Sequence, residues 1–434
     1  MRTWYRTIFF SALIIGAAPA TAWERFIGVD PFWIQNVAPA GALSADAAGN
    51  VCVLSNDRVG GVVGFAHVFT LDAQGQHARP WQVVGSNEQF ATSGVDCRFG
   101  PPVLAYRELD GASQYRTTLV GYSDDRLSRW DLDLPSDGAA VAGRFGAAAS
   151  QSTVVVRQTS KGRPYDLQRF DIANASLQWQ ASVDNGYYPG ASAREFVVAA
   201  DGSTTLLESY DAPDGMSVGT VVMRFDAQGV MTTSVPLTDS FLADIGPSAI
   251  APGGTAYFTR RSASYAIDQL WQVAPQAGYP APIYLGYGGS LQIVQLVALA
   301  DDGALVLAHT GYGGANLLVR LAADGTQLWQ TSMPPTQSGS TVSGLIGDRA
   351  GRALVVQTDP PGTFTRKITL TAYSEQGAFN WTRPLQNARF DEGDTLSLAL
   401  TSDDNVVLAL NAFDAGGNIP GILLQSFALS SPTP

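Results

Sequence analysis

Short apolar runs separated by turns rich in Asp and Gly recur along the chain, and the same alternation returns again and again. One kind of unit puts the turn ahead of an apolar strand: "ADAAGNVCVL" from Ala45, "AADGSTTLL" from Ala199, "APGGTAYF" from Ala251, "ADDGALVLA" from Ala300, "GDRAGRALVV" from Gly347 and "TSDDNVVLAL" from Thr401. A second apolar strand follows, such as "GTVVMRFD" or "ANLLVRLA", then another turn and a strand that ends the unit. Two hairpin turns and two longer connections per unit predict four antiparallel strands of about five to eight residues. Helical periodicity is almost absent beyond the first twenty or so residues, which excludes a doubly wound α/β fold.

Tryptophan marks the unit. It stands in "FWIQNV" (Trp33), "RPWQVV" (Trp81), "SRWDLD" (Trp130), "LQWQAS" (Trp179), "QLWQVA" (Trp271), "QLWQTS" (Trp329) and "FNWTRP" (Trp381). The intervals from 33 to 81, 81 to 130 and 130 to 179 are 48, 49 and 49 residues. Within "FDAQGVMTTSVPL" the same offset of four from Gly229 falls on Thr233 instead. Four-stranded units at this period predict a β-propeller, each unit a blade. Outer strands near 33, 81, 130, 179, 233, 271, 329 and 381 give eight blades, or seven if the unit at Thr233 is not one. The last unit, "GILLQSFALSS" before "PTP", lacks its tryptophan strand, so the N-terminal strand around Trp33 is expected to complete it and close the ring.

"RFDIANASLQWQ" sets Asp171 eight residues before Trp179, and "LAADGTQLWQ" and "YSEQGAFNWT" keep the step of four from Gly325 to Trp329 and from Gly377 to Trp381. This resembles the tryptophan-docking repeat, Asp-Ala-x-Thr-Gly-x-x-x-Trp, of the pyrroloquinoline-quinone-like propellers. That family includes quinoprotein alcohol dehydrogenases and the propeller subunit of the bacterial outer-membrane assembly machinery. The resemblance spans essentially the whole of residues 23–434 and implies eight blades. It makes the tryptophan architectural, an indole packed between blades with its N–H on a neighbouring carbonyl. In the dehydrogenase branch the family also implies a quinone cofactor with calcium beside a vicinal disulfide. Cys52 and Cys97 are far apart, so the resemblance carries the fold and not the redox chemistry. No cofactor is expected, with calcium or pyrroloquinoline quinone as the alternative.

The first residues, "MRTWYRTIFFSALIIGAAPATA", place Arg2 and Arg6 ahead of an apolar run and end in Ala20-Thr21-Ala22, the layout of a secretory signal over 1–22. The mature chain is then a propeller over 23–434, exported to the periplasm or secreted, with no transmembrane segment. Net charge is −12, and −14 without Arg2 and Arg6. That balance disfavours nucleic acid as a partner. In an oxidising compartment Cys52 and Cys97 are expected to form one disulfide between neighbouring units.

Catalytic signatures are few. The only histidines are His67, His77 and His309, none in a triad or metal motif. "RFDEGDT" brings Asp391, Glu392 and Asp394 together as a weak calcium candidate without EF-hand spacing. Tyr187 and Tyr188 in "DNGYYPGA", Tyr287 in "LGYGGS" and Tyr312 in "TGYGGAN" are candidate ligand-face aromatics. Together these predict a monomeric, non-catalytic platform for a protein or ligand. The alternatives are a glycan-binding propeller and an enzyme, a divergent quinoprotein or polysaccharide-acting, with its site in the central funnel.

Overall fold

The structure is a computed structural model. It describes the strands and tight turns between residues 23 and 430; residues 1–22, 431–434 and most longer connections, among them 29–33, 84–90, 184–191, 286–290, 311–315 and 386–395, lie outside the described residues. Among the described residues there is no helix, and the strands fall into eight separate antiparallel sheets, seven of four strands and one of five. In each four-stranded sheet the strands follow chain order from inside to outside; the last sheet alone takes its outer strand from the N-terminus. The first strands of successive sheets pack on one another in an unbroken circuit. It runs from Leu43–Ala45 through Ala91–Asp96, Arg144–Ala148 and their successors to Leu396–Leu400, which returns to Leu43–Ala45. The architecture is an all-β propeller.

Strand periodicity explains how the sheets hold together. Successive side chains point to opposite faces of a strand. In Thr204–Asp211 Leu206 therefore packs toward the third sheet, with Leu167 and Phe196, while Leu207 packs toward the fifth, with Phe258 and Val273. Ala304–Thr310 repeats the division, Val306 turning to Tyr257 and Leu270, and Leu305 and Leu307 to Val355 and Tyr373. Second and third strands are consequently apolar on both faces, and each fully buried Leu or Val contributes roughly 1.5–3 kcal/mol.

The tight turns share one geometry. Asp226 N–H donates to the Val230 carbonyl at 2.9 Å, Gly229 N–H to the Asp226 carbonyl at 3.0 Å, and Asp226 Oδ1 accepts from the amides of Gln228 and Val230 at 2.9 Å each. Gly229 sits at φ +80°, where glycine carries no Cβ penalty. The same hydrogen-bonded loop opens at Asp46, Asp72, Ala199, Ala251, Leu299, Ala322, Asp348, Ser374 and Thr401.

Two expectations are corrected. The strand that closes the ring is Trp23–Gly28, which pairs with Pro420–Ala428 from Trp23 opposite Ser426 to Gly28 opposite Gly421. Trp33 lies outside the described residues, and the strand after it, Ile34–Val37, pairs with Ser55–Arg58 of the first sheet. Trp271 is not on an outer strand. It lies on the third strand of the fifth sheet, Asp268–Val273, opposite Phe258 on one side and Pro282 on the other. The outer strand there is Ala281–Ile283, and Pro282 stands four residues after Gly278, where other units put tryptophan.

Candidate functional site

Tryptophans dock between sheets in one recurring way. Trp179 Nε1–H donates to the Ala227 carbonyl at 3.0 Å, Trp329 to Glu375 at 2.7 Å, Trp381 to Leu429 at 3.0 Å and Trp23 to Ala73 at 3.0 Å. Each acceptor lies just after the strand next to the outermost one in the following sheet, so these four outer strands each hook the next blade. Where the turn has its glycine, the indole covers it: a Cβ on Gly229 would lie 2.6 Å from Trp179 Cε3, and one on Gly75 2.5 Å from Trp23 Cδ2. Closure of the ring uses the same device, reinforced by Arg25, whose Nε donates to the Gly75 carbonyl at 2.7 Å.

Arginines back up the hook, a role the sequence reading missed. Arg224 and Arg320 each stand two residues before a turn that opens at 226 or 322, Arg169 stands two residues before the end of its strand Tyr165–Asp171, and all three are buried. Arg169 donates to the Ala227 carbonyl at 3.0 Å. Arg224 is the instructive case, because its outer strand carries Thr233 instead of tryptophan. Its Nη2 reaches the carbonyls of Gly254, Val273 and Ala274 at 3.2, 3.0 and 3.0 Å. Burial holds the guanidinium pKa of Arg169 and Arg224 below the ordinary arginine range. The fifth sheet, lacking the outer tryptophan, hooks the sixth through Gln272, which donates to the Ala323 carbonyl. The triplet "RFD" or "RLA" before the turn was the available signal.

A denser polar group joins the fifth and sixth sheets. Tyr257 Oη donates to the Asp302 carbonyl at 2.7 Å, Gln272 Nε2 donates to Tyr257 Oη at 3.3 Å, and Asp302 Oδ1 accepts from Gly253 N–H at 2.7 Å. Asp302 holds φ +63°, and Arg320 pairs with Asp301. Burial, followed by the charge of Asp302, raises the Tyr257 pKa well above the ordinary tyrosine value. A phenol so held stays protonated and donates; it is a structural tie and no base.

The candidates from sequence separate as follows. Cys52 and Cys97 form a disulfide with Cα atoms 6.3 Å apart, joining the first sheet to the end of the second sheet's inner strand. His67 lies in the strand Val62–Leu71 with its ring 6.1 Å from that of Phe69. His309 sits in Ala304–Thr310 between Gln292 and Asn316. His77, Tyr187, Tyr188, Tyr287, Tyr312, Asp391, Glu392 and Asp394 lie outside the described residues. Among the described residues no three His, Cys, Asp or Glu side chains gather around one point that would hold a metal ion. Nor, among them, is any helix long and apolar enough to cross a membrane.

No protein-family model matches the chain, and no curated protein matches it. Similar solved structures share the fold at low identity. An oligogalacturonate lyase in complex with manganese has a TM-score of 0.50 and 12% identity over 94% of this chain and 96% of its own. A eukaryotic initiation factor has 0.52 and 9%, over 90% of this chain and 85% of its own. A structure from a study of two prolyl endopeptidases has 0.52 and 13%, over 88% of this chain and 54% of its own. A lyase, a structure from a peptidase study and an initiation factor thus share the scaffold, so it leaves function to the site it carries.

Proposed function

We propose that the protein is an exported, eight-bladed propeller that works as a non-catalytic interaction platform, related through its tryptophan hook to the pyrroloquinoline-quinone-like propellers. The observation that carries this reading is the use to which the charged side chains are put. Asp46, Asp72, Asp226, Asp324 and Asp348 accept backbone amides inside turns, and Arg169 and Arg224 satisfy carbonyls between sheets. Side chains committed in this way are not poised for proton transfer, which needs a group within reach of substrate and with a pKa near the working pH. Export is supported by the layout of residues 1–22 and by the disulfide, which persists in oxidising compartments.

Cross-linking in intact source cells, followed by mass spectrometry, tests the proposal. A protein reproducibly joined to this chain supports the platform. Recovery of a quinone, a metal or a glycan in its place, with turnover lost on changes along the inner strands, would move the function to the funnel.

A further inference from the structure

Outer strands of a propeller leave one row of backbone N–H and C=O groups unpaired, and folded proteins blunt such edges with charges, proline or brevity. Six of the eight outer strands described here carry one of these devices. Trp23–Gly28 has Glu24 and Arg25, and Arg129–Leu134 has Arg129, Asp131 and Asp133. Met231–Leu237 has Pro236, and Phe379–Pro384 has Arg383 and Pro384. Trp81–Val83 and Ala281–Ile283 are three residues each. The remaining two, Ser176–Val183 (SLQWQASV) and Gln327–Ser332 (QLWQTS), contain no charge, no proline and no glycine. Ser176–Val183 is also the longest outer strand, at eight residues. Each carries an exposed leucine just ahead of its tryptophan, Leu177 two residues before Trp179 at 49% and Leu328 one residue before Trp329 at 57% exposure. Both bear a bulge next to the tryptophan, as guarded strands also do, so the bulge does not set them apart.

We infer that Ser176–Val183, with Gln327–Ser332 as its lesser counterpart, is a docking edge that takes an extended segment of a partner protein as an added β-strand. Backbone hydrogen bonds supply such pairing and alternate side chains its selectivity. Charge specifies the occupant. The chain is at −12, whereas these two edges are neutral. The matching segment has an uncharged, β-prone centre of about six residues, since a buried charge there would go unpaired, and Lys or Arg at its flanks, which the acidic body attracts. A whole second copy fits less well, because two bodies of the same net negative charge would meet at these edges. This inference rests on the platform reading and names its surface.

The test uses residues 23–434 and the fluorescent peptide Lys-Lys-Thr-Val-Thr-Val-Thr-Val-Lys-Lys, with anisotropy for binding and hydrogen exchange for location. Saturable binding is expected, with new protection in 176–183 and, more weakly, in 327–332. The exposed pair Gln178→Lys/Gln180→Lys should weaken it at least roughly tenfold by placing like charge at the edge. The exposed pair Met231→Lys/Ser234→Lys, the same two charges on a guarded strand, should leave it within about twofold. Thermal melts matching the parent establish that the variants fold. Absence of binding, equal binding by the edge variant, or protection outside these strands overturns the inference. So does self-association that protects 176–183 without peptide, which would make a second copy the occupant. If the partner cross-linked in cells is captured equally by the edge variant, the edge assignment falls and the platform stands. If the peptide binds as expected and no partner is captured, the edge is real and the platform reading falls.

Discussion

Replacing Gly229 by alanine should be among the most costly single-atom-scale changes on the surface of the ring, and its cost can be divided. At φ +80° an alanine meets a backbone penalty of about 1–2 kcal/mol. Its Cβ would also lie 2.6 Å from Trp179 Cε3, so the indole must leave. Losing the bond from Trp179 Nε1 to the Ala227 carbonyl costs about 1 kcal/mol, and displaced packing against Leu167 and Phe196 adds roughly another 1. The sum is roughly 3–4 kcal/mol. Gly278, in the corresponding hairpin of the fifth sheet, is the internal control. No tryptophan hooks there and a Cβ meets nothing within 4 Å, so Gly278→Ala should stay within about 0.5 kcal/mol. Urea unfolding followed by tryptophan fluorescence and circular dichroism reads both. In a Trp179→Ala background the Gly229→Ala cost should fall to the backbone share of about 1–2 kcal/mol, a coupling of roughly 2. Equal costs for Gly229→Ala and Gly278→Ala, or no coupling to Trp179, would refute the hook as the reason for the glycine.

Other consequences are open to direct measurement. Cys52→Ser should destabilise the chain by about 4 kcal/mol on the chain-entropy estimate for a 45-residue separation, read as the difference in unfolding between oxidised and reduced protein. Arg224→Met should cost roughly 2 kcal/mol, since it strips three carbonyl acceptors of their donor where Thr233 offers no indole in compensation; calorimetry checks it. Tyr373 is buried and its pKa is pushed up to about 12, against about 10 for the unfolded chain. The raised value favours the protonated native form, so its stability is intact below pH 10 and is lost as pH rises from 10 to 12, by roughly 2–3 kcal/mol. Tyr373→Phe should flatten that decline without weakening the fold at pH 7, because among the described residues the hydroxyl has no hydrogen-bond partner.

Much of the fold was legible because the turns are local. Asp, Gly and the strand pattern on either side determine each hairpin within about five residues, and chain order then gives sheet order. Tryptophan misled where residue type was taken for position. Trp271 has the same neighbours as Trp329, "QLWQ", yet it precedes its hairpin, and only the step of four from Gly278 to Pro282 shows which strand is outermost. Similarly, Trp33 keeps the interval of 48 to Trp81, but Trp23 makes the contact, through a pairing with Ser426 some 400 residues away that no local pattern encodes. The hooks of Arg169 and Arg224 escaped notice for a related reason: each buried guanidinium is paired by carbonyls of the next sheet, and carbonyls leave no trace in residue identity. The tyrosine and acidic candidates lie in connections outside the described residues, whereas the neutral edges at Ser176–Val183 and Gln327–Ser332 became visible only once the outermost strands were known.

The claim that the ring is an exported scaffold working through a protein partner is tested most directly by native mass spectrometry of the protein gently isolated from its own source. The account predicts a chain beginning at Trp23 with Cys52 and Cys97 oxidised, its unaccompanied mass equal to that of the polypeptide, and a second population carrying a stoichiometric protein. A chain retaining residues 1–22, or one bearing a bound quinone, metal or sugar and no protein, would contradict it.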